Sequence, residues 1–262
     1  MPKTPVAILT TRLLRPQIPT LSLPFPRYHH HLSTPSPKRT FTKMTDSIPL
    51  HILPIPTEHN DLVRSVNTFV HGYMSSPGHD SSHDYQHILR VVSNANRILA
   101  LEKAAHPEKE YDVLALFLAA FLHDVGDHKY ASSETPESQI STILLANGCS
   151  STLATRVQTV VKHVSYSHEV KNPESVRSVL DQYPELGIVQ DADRLDAIGA
   201  VGVARCFTFS GAKRPGEPMM RAIEHFEEKL MKLGGMMKTG GGRELAERRG
   251  KVVEEFRERF LE

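Results

Sequence analysis

Apolar residues recur at helical spacing from about residue 57 onward. A ten-residue apolar run, 113–122, is about half the length that a membrane helix requires, so it predicts a buried helix instead. The other apolar stripes are Leu62, Val66, Phe69, Val70 and Tyr73; Ile88, Leu89, Val92, Ala95 and Leu99; Leu153, Val157, Val160, Val161 and Val164; Ile223, Phe226, Leu230 and Leu233; and Leu245, Val252, Phe256 and Phe260. No segment alternates convincingly with the period of two that a strand requires. The pattern therefore predicts an all-α protein.

Proline and serine mark the breaks between these stripes. SSPGHDSS (75–82), TPES (135–138), NPES (172–175) and YPEL (183–186) place them where helices begin. GGMMKTGGGRE (234–244) predicts a flexible joint before the last helix. It lacks the Walker spacing of a phosphate-binding loop and follows no predicted strand. We expect one domain over residues 50–262.

The N-terminal segment, residues 1–45, differs from the rest in composition. It contains seven lysines and arginines, no acidic residue and eight prolines. A basic leader rich in serine and threonine is typical of a transit peptide, but the prolines disfavour an amphipathic helix. We expect either a transit peptide or a disordered leader, with Met44 as an alternative start. The predicted localisation is therefore cytoplasmic or mitochondrial.

Charge and cysteine content narrow the function classes. Subtracting the leader's +7 from the net charge of +1 leaves −6 for the remainder, which has no generic attraction to nucleic acid backbones. Cys149 and Cys206 form no CxxC pair, so neither a disulfide framework nor a zinc knuckle is indicated. We expect no nucleic acid or membrane partner, and the oligomeric state is left open.

Four residues with metal-binding side chains stand on three predicted helices. His87 lies in HDYQHILRVV, His123 and Asp124 end the apolar run in FLHDVGDHKY, and Asp193 lies in VQDADRLDAIGA. Two imidazoles and two carboxylates suit divalent Mn, Fe, Co, Ni, Zn or Mg. Helical bundles commonly build metal sites from side chains on neighbouring helices.

These motifs, in this order, resemble the HD superfamily of metal-dependent phosphohydrolases. SHDYQHILRV, FLHDVGDHKY and QDADRLDAIGAVGVAR are most similar to the small stand-alone HD hydrolases of bacteria and fungi. The resemblance covers nearly all of residues 57–260. It implies that His87, His123, Asp124 and Asp193 bind one divalent ion, for which manganese is the leading candidate, and a second ion is left open.

Two further aspartates lie close to Asp193. The family's aspartate follows a small residue and precedes RL, which selects Asp193. Asp191 would point to the opposite side of the helix, as a solvated or capping carboxylate. Asp196 shares the face of Asp193, so we expect it to support the metal ligands from behind.

The resemblance also suggests residues for catalysis and substrate binding. Asp127 matches a carboxylate that HD hydrolases often carry, and it could take a proton from the attacking water. Lys129 would neutralise phosphate. His83, one turn before His87, could bind phosphate, bind a second ion or cap the helix.

Three more residues are candidates for the pocket. His163 is either a pocket residue, a second-metal ligand or a satisfied core histidine. Arg194 and Lys162 are candidates for binding phosphate.

The resemblance implies hydrolysis of a phosphorylated small molecule, by family likeness a nucleotide. Its closest kin suggest cleavage of a nucleoside triphosphate to monophosphate and pyrophosphate. A divalent ion lowers the pKa of a bound water, and the sequence shows no nucleophilic motif such as GxSxG. The alternatives are a 5′-nucleotidase or phosphodiesterase with the same site, a di-iron oxygenase that needs further histidine ligands, and a non-catalytic nucleotide- or metal-binding regulatory module.

Overall fold

The computed structural model describes residues 49–76, 84–126 and 139–262. These residues are helical with short connections, and none of them lies in a strand. The all-α prediction is therefore confirmed. They all belong to one compact unit, Thr45–Glu262. The leader predicted over 1–45 lies outside the described residues.

Twelve α-helices are described. They are α1 Asn60–Met74, α2 Tyr85–Ala105, α3 Val113–Leu122, α4 Gln139–Ala146, α5 Ser151–Lys162, α6 Tyr166–Lys171, α7 Pro173–Gln182, α8 Glu185–Asp196, α9 Gly199–Lys213, α10 Met220–His225, α11 Met231–Leu233 and α12 Gly240–Leu261. A π-helical turn, Phe226–Leu230, joins α10 to α11. Short 3-10 turns lie at Leu50–Ile52, Thr57–His59 and Gly234–Met236.

Two central helices, α3 and α8, organise the core. Every residue of α3 after Val113 is buried, as the ten-residue apolar run predicts. Every residue of α8 except Asp193 is buried as well. Helix α2 packs along α8, and α3 packs against α1, α2, α5 and α8. The ends of α3 and α8 and the start of α2 therefore meet inside the bundle.

Local sequence explains where several helices begin. Asp84, Asp112 and Ser150 accept hydrogen bonds from the backbone of the first turns of α2, α3 and α5. Pro173 occupies the first turn of α7, and Pro184 immediately precedes α8. The starts predicted at NPES and YPEL are confirmed. TPES, and residues 77–82 of the SSPGHDSS break, lie outside the described residues.

The apolar stripe predicted for α12 is partly wrong. Val252 is 40% exposed, and Val253 is buried in its place. Arg249 explains the difference, because it lies on the inner side of α12 and donates hydrogen bonds to the Leu195 carbonyl and the Asn94 side chain. Leu245, Arg249 and Val253, spaced four residues apart, therefore lie on the inner side, and Phe256 of the predicted stripe is 36% exposed.

The predicted flexible joint is also wrong, because its last glycines begin α12. Thr239 caps the helix by accepting a hydrogen bond from Gly242 N at 2.9 Å. A Cβ on Gly241 would lie 2.8 Å from Leu101 Cβ, which no real Cβ tolerates. These glycines therefore allow the start of α12 to pack closely against α2. No described helix is long and apolar enough to cross a membrane.

Candidate metal centre

The dipeptide His123-Asp124 lies directly after α3, where the chain turns. His123 is the C-cap of this helix, and Gly126 adopts a φ of 80°, a backbone conformation that favours glycine. The Tyr73 hydroxyl accepts a hydrogen bond from Gly126 N at 3.1 Å. The apolar helix thus carries a histidine and an aspartate to a fixed position at its end.

His87 is presented by the first turn of α2. Asp84 caps that helix, and its carboxylate accepts a hydrogen bond from His87 N at 3.0 Å. The His87 side chain is 1% exposed. A buried imidazole with polar neighbours requires partners at both ring nitrogens.

The two histidines and Asp124 form a compact group of metal-ligating atoms. Each offers one ligand atom, and these atoms lie within 4.8 Å of one another; among the residues that the structure describes, no other such group of three or more occurs. His87 Nε2 lies 3.1 Å from His123 Nε2. The Asp124 oxygens lie 3.2 Å from His87 Nε2 and 3.4 Å from His123 Nε2.

Asp193 borders this group from α8. Its Oδ1 lies 3.5 Å from His87 Nε2 and 3.8 Å from His123 Nε2. Its side chain is 32% exposed, more than the other three, so it lies on the solvent side of the cluster. The structure brings together all four residues that were predicted to bind a metal.

The contacts of the two Nδ1 atoms determine which nitrogen of each imidazole carries the hydrogen. His87 Nδ1 lies 2.7 Å from Asp196 Oδ2, and His123 Nδ1 lies 3.0 Å from the Ala120 carbonyl oxygen. The carbonyl oxygen can only accept, as can the carboxylate when ionised, so both Nδ1 atoms donate. Both Nε2 atoms are then available to a cation.

The donor set fits a divalent ion. Ligand atoms at about 2.1 Å from one ion lie about 3 to 3.5 Å apart in tetrahedral or octahedral geometry. The separations of 3.1 to 3.5 Å among the two Nε2 atoms, the Asp124 oxygens and the contact of Asp193 with His87 agree with that requirement, and the 3.8 Å between Asp193 Oδ1 and His123 Nε2 is slightly longer. Mixed imidazole and carboxylate donors suit first-row transition metals. His87, His123, Asp124 and Asp193 are therefore the residues that could hold the ion.

The cluster also perturbs the pKa of His87. Burial and the positive charge of Arg205 lower this pKa, but hydrogen bonds to Asp124 and Asp196 outweigh them and raise it to about 9. The carboxylates thus concentrate negative charge where a proton or a metal ion binds. With this pKa, the free His87 imidazole carries a second proton at neutral pH, and a cation that binds Nε2 has to displace it.

Asp196 lies behind His87, as its shared face with Asp193 predicts. Its carboxylate is 2% exposed, and it accepts hydrogen bonds from Arg90 Nε at 2.7 Å and from an Arg205 guanidinium nitrogen at 2.8 Å. Sequence reasoning missed both arginines, although both lie in the motifs HILRVV and GAVGVAR. Burial raises the pKa of Asp196, but the hydrogen bonds from His87 and Arg90 and the positive charge of Arg205 outweigh it and hold this pKa far below its usual range.

Asp191 leaves α8 on the other side and is buried, not solvated. It accepts hydrogen bonds from Lys238 N at 2.8 Å, from Thr239 N at 2.8 Å and from the Thr239 hydroxyl at 2.7 Å. Of the two predicted roles, the structure shows the capping one, because Asp191 binds the backbone directly before α12. Burial raises the pKa of Asp191 although these hydrogen bonds oppose it.

Arg194 lies in a separate buried network. It is 2% exposed, donates to the Met236 carbonyl at 2.8 Å and pairs with Glu169. Lys238 pairs with the same carboxylate. This placement lends no support to the predicted contact of Arg194 with phosphate, which stays a prediction.

His163 has partners at both ring nitrogens. Nδ1 lies 2.7 Å from the Thr159 carbonyl oxygen, and Nε2 lies 3.0 Å from the Ser175 hydroxyl. This is the arrangement expected of a satisfied core histidine, and its role in substrate binding stays a prediction. Lys162 is exposed at the end of α5. His83, Asp127 and Lys129 lie outside the described residues.

The fold and this cluster agree with a known family. The HD domain model matches residues 84–198, the stretch that contains all four candidate ligands. A Bacillus subtilis relative, the uncharacterized protein YpgQ, is 37% identical over 179 residues, which cover 67% of this chain and 82% of YpgQ. The chain therefore belongs to the HD superfamily of metal-dependent phosphohydrolases.

Solved structures of relatives share the fold. The crystal structure of Bacillus subtilis YpgQ in complex with ADP matches with a TM-score of 0.58 and 32% sequence identity, and the match covers 76% of this chain and 95% of that one. A Lactobacillus plantarum protein matches with a TM-score of 0.62 and 28% identity, covering 79% and 97% of the two chains. Both matches span nearly the whole of the related protein.

Proposed function

We propose that this protein is a metal-dependent phosphohydrolase whose substrate is a nucleotide, and that it cleaves a nucleoside triphosphate to monophosphate and pyrophosphate. Family membership supports metal-dependent hydrolysis. The observation that carries the proposal is the convergence of two Nε2 atoms and two carboxylates at the meeting point of α2, α3 and α8.

The nucleotide is supported by one relative. YpgQ, at 32% identity in the matched region, has been crystallised in complex with ADP. A phosphoanhydride chain carries several negative charges, which a divalent ion and nearby cations can offset. We extend nucleotide recognition to this chain on that basis.

The four ligands would hold one divalent ion, for which manganese is our first choice. When bound, such an ion lowers the pKa of a coordinated water and polarises a phosphoryl oxygen. The protein's own part is to keep the ligands in place: the carbonyl of Ala120 orients His123, and the carboxylate of Asp196 orients His87. The partial exposure of Asp193 leaves one side of the cluster open to substrate.

The catalytic and substrate-binding residues are proposed from the family likeness. Asp127, three residues after Asp124, would accept a proton from the attacking water. Lys129 and His83 would bind phosphate oxygens. Arg194 and His163 remain candidates of the same kind, with the buried partners described above.

Three alternatives use parts of the same site. A 5′-nucleotidase or a phosphodiesterase would keep the metal cluster and differ in products. A di-iron oxygenase would need further histidine ligands, and the hydrogen bonds of His163 to Thr159 and Ser175 lend that alternative no support. A regulatory module would bind nucleotide or metal without turnover.

Phosphorus NMR of the products tests the proposal. The full-length chain is loaded with Mn(II) and incubated with the nucleoside triphosphates. Asp124→Ala is compared with Asp181→Ala, which removes an exposed carboxylate on α7. We expect monophosphate and pyrophosphate from the wild type and from Asp181→Ala, and a rate at least about 100-fold lower from Asp124→Ala.

Each other outcome overturns a defined part of the proposal. Orthophosphate as the first product would contradict the assigned bond. Turnover of monophosphates or cyclic nucleotides alone would favour a nucleotidase or phosphodiesterase. Equal rates in both variants would remove the HD cluster from the reaction.

A further inference from the structure

We propose that Asp196, clamped by Arg90 and Arg205, is a positioning residue that fixes the orientation and tautomer of His87 so that Nε2 faces the metal. The inference rests on the proposed function, since it concerns the same cluster. It assigns to two arginines outside the ligand set a role in how tightly the ion is held.

The geometry gives His87 one orientation. Its imidazole is 1% exposed, and Nδ1 lies 2.7 Å from Asp196 Oδ2. A carboxylate accepts and cannot donate, so this contact places the hydrogen on Nδ1. Rotation of the ring by 180° about its long axis would break this hydrogen bond and remove Nε2 from the cluster.

The arginines hold the carboxylate in turn. Arg90 donates through Nε to Oδ1 at 2.7 Å and through a terminal nitrogen to Oδ2 at 3.0 Å, a bidentate arrangement. Arg205 donates to Oδ2 at 2.8 Å. With His87, four hydrogen bonds converge on two oxygens and hold the carboxylate in one orientation.

This clamp also explains why Asp196 is not itself a ligand. Asp193 and Asp196 share one side of α8, three residues apart. Two guanidinium groups compensate the charge of Asp196 and occupy its oxygens, whereas Asp193 remains 32% exposed beside the histidines. The arginines therefore separate the supporting carboxylate from the ligating one.

The fold places Arg205 for this contact through Gly202. A Cβ on Gly202 would lie 2.2 Å from the Ala197 carbonyl oxygen, so only glycine permits α9 to begin this close to the end of α8. Arg205 lies one turn further along α9 and reaches back to Asp196. The GAVGVAR segment thus connects the clamp to the end of the metal-binding helix.

Mn(II) affinity, read by electron paramagnetic resonance of the free ion, tests the clamp without using activity. The full-length chain is compared with Asp196→Asn and with Asp191→Asn, a control on the same helix that is equally buried but contacts Lys238 and Thr239. Loss of a partner behind a ligating histidine costs about 10- to 100-fold in metal affinity. We expect that loss in Asp196→Asn and a change within about twofold in folded Asp191→Asn.

Arg205→Gln keeps the test decisive if Asp196→Asn does not fold. This variant removes one hydrogen bond to Asp196, and we expect Mn(II) affinity to fall by about three- to tenfold. Nitrogen-15 NMR of the Zn(II)-loaded wild type gives a further reading, with the His87 hydrogen expected on Nδ1.

Unchanged affinity in Asp196→Asn and Arg205→Gln, or a hydrogen on Nε2, would overturn the positioning role while leaving the proposed function intact. A wild-type chain that binds no Mn(II) would instead overturn the proposed function. The two failures are therefore distinguishable.

Discussion

Asp191 and Asp193 leave the same buried helix on opposite sides, and each contacts a different part of the protein. Asp191 Oδ2 accepts from Thr239 N at 2.8 Å, whereas Asp193 Oδ1 lies 3.5 Å from His87 Nε2. Adjacent positions on a helix differ by about 100°, so residues two apart face nearly opposite directions. Helix α8 thus anchors α12 with one carboxylate and places the other beside the two histidines of the candidate metal cluster.

Asp191→Asn should therefore affect stability and not metal binding. The amide replaces an acceptor that receives three buried hydrogen bonds with a group that also donates. We expect the free energy of unfolding to fall by about 2 to 4 kcal/mol. Urea unfolding measures the loss, and a stable variant with impaired Mn(II) binding would contradict this division of roles.

The start of α12 offers a matched pair of glycines. A Cβ on Gly242 would lie 2.2 Å from Asp191 Oδ2 and 2.8 Å from Thr239 Oγ1, whereas a Cβ on Gly250 meets nothing within 4 Å. We expect Gly242→Ala to lower the free energy of unfolding by about 2 to 4 kcal/mol. Gly250→Ala on the same helix should raise it by up to about 1 kcal/mol. Urea unfolding measures both changes. Equal changes in the two variants would contradict the requirement for glycine at position 242.

Glu169 makes stability depend on pH in the acid range. Burial opposes ionisation, but the hydrogen bond from Lys238 and the charge of Arg194 outweigh it and lower the pKa of Glu169 below its usual value of 4.5. Because the folded pKa lies below the unfolded one, the stabilisation is present above about pH 4.5 and is lost as pH falls through the folded pKa.

Glu169→Gln tests this linkage. At pH 7 we expect the variant to lose about 3 kcal/mol, because two buried or half-buried cations lose their carboxylate partner. The difference from the wild type should shrink as the pH is lowered from 5 to 3. Urea unfolding across this range measures it, and a difference that stays constant would contradict the assigned ionisation. Glu174→Gln, an exposed carboxylate on α7, is the control.

The sequence predicts the four candidate ligands and the supporting role of Asp196, but not the two arginines that hold Asp196, for a physical reason. His87, His123, Asp124 and Asp193 recur in a family order, so a motif reveals them. Arg90 lies 106 residues from Asp196 in the sequence, and Arg205 lies 9 residues from it. Their hydrogen bonds to Asp196 exist only after α2, α8 and α9 have packed together. Local spacing carries no information about such tertiary contacts.

The same limit explains the wrong predictions. The glycines at 240–242 indicated flexibility because glycine is the least restricted residue in isolation. In the fold, Gly241 is required by the close approach of Leu101 on α2, and Gly242 by the close approach of Asp191 on α8. The apolar pattern predicts that Val252 is buried because the pattern takes no account of Arg249 on the inner side of α12. In both cases a neighbouring helix decided the role of the residue.

Tyr73 tests whether the turn after α3 matters for function. Tyr73→Phe removes the hydroxyl that accepts from Gly126 N and leaves the ring in place. We expect a stability loss of about 1 kcal/mol. The looser turn should also lower kcat/KM for the nucleotide by up to about tenfold, since small displacements of catalytic groups are costly.

Tyr183→Phe is the matched control for this change. The Tyr183 hydroxyl accepts a hydrogen bond from Gln182 at an exposed position. We expect its stability and kcat/KM to match the wild type. Steady-state kinetics and urea unfolding are measured on both variants. A kcat/KM of Tyr73→Phe equal to that of the wild type would show that the hydrogen bond in this turn does not affect activity.

We expect His87, His123, Asp124 and Asp193 to bind one divalent ion together. Anomalous diffraction at the manganese edge from crystals of the Mn(II)-loaded chain tests it most directly. We expect a single strong peak within about 2.3 Å of both Nε2 atoms and of an oxygen of each aspartate. A peak elsewhere, or none at this cluster while the protein still hydrolyses nucleotide, would contradict it.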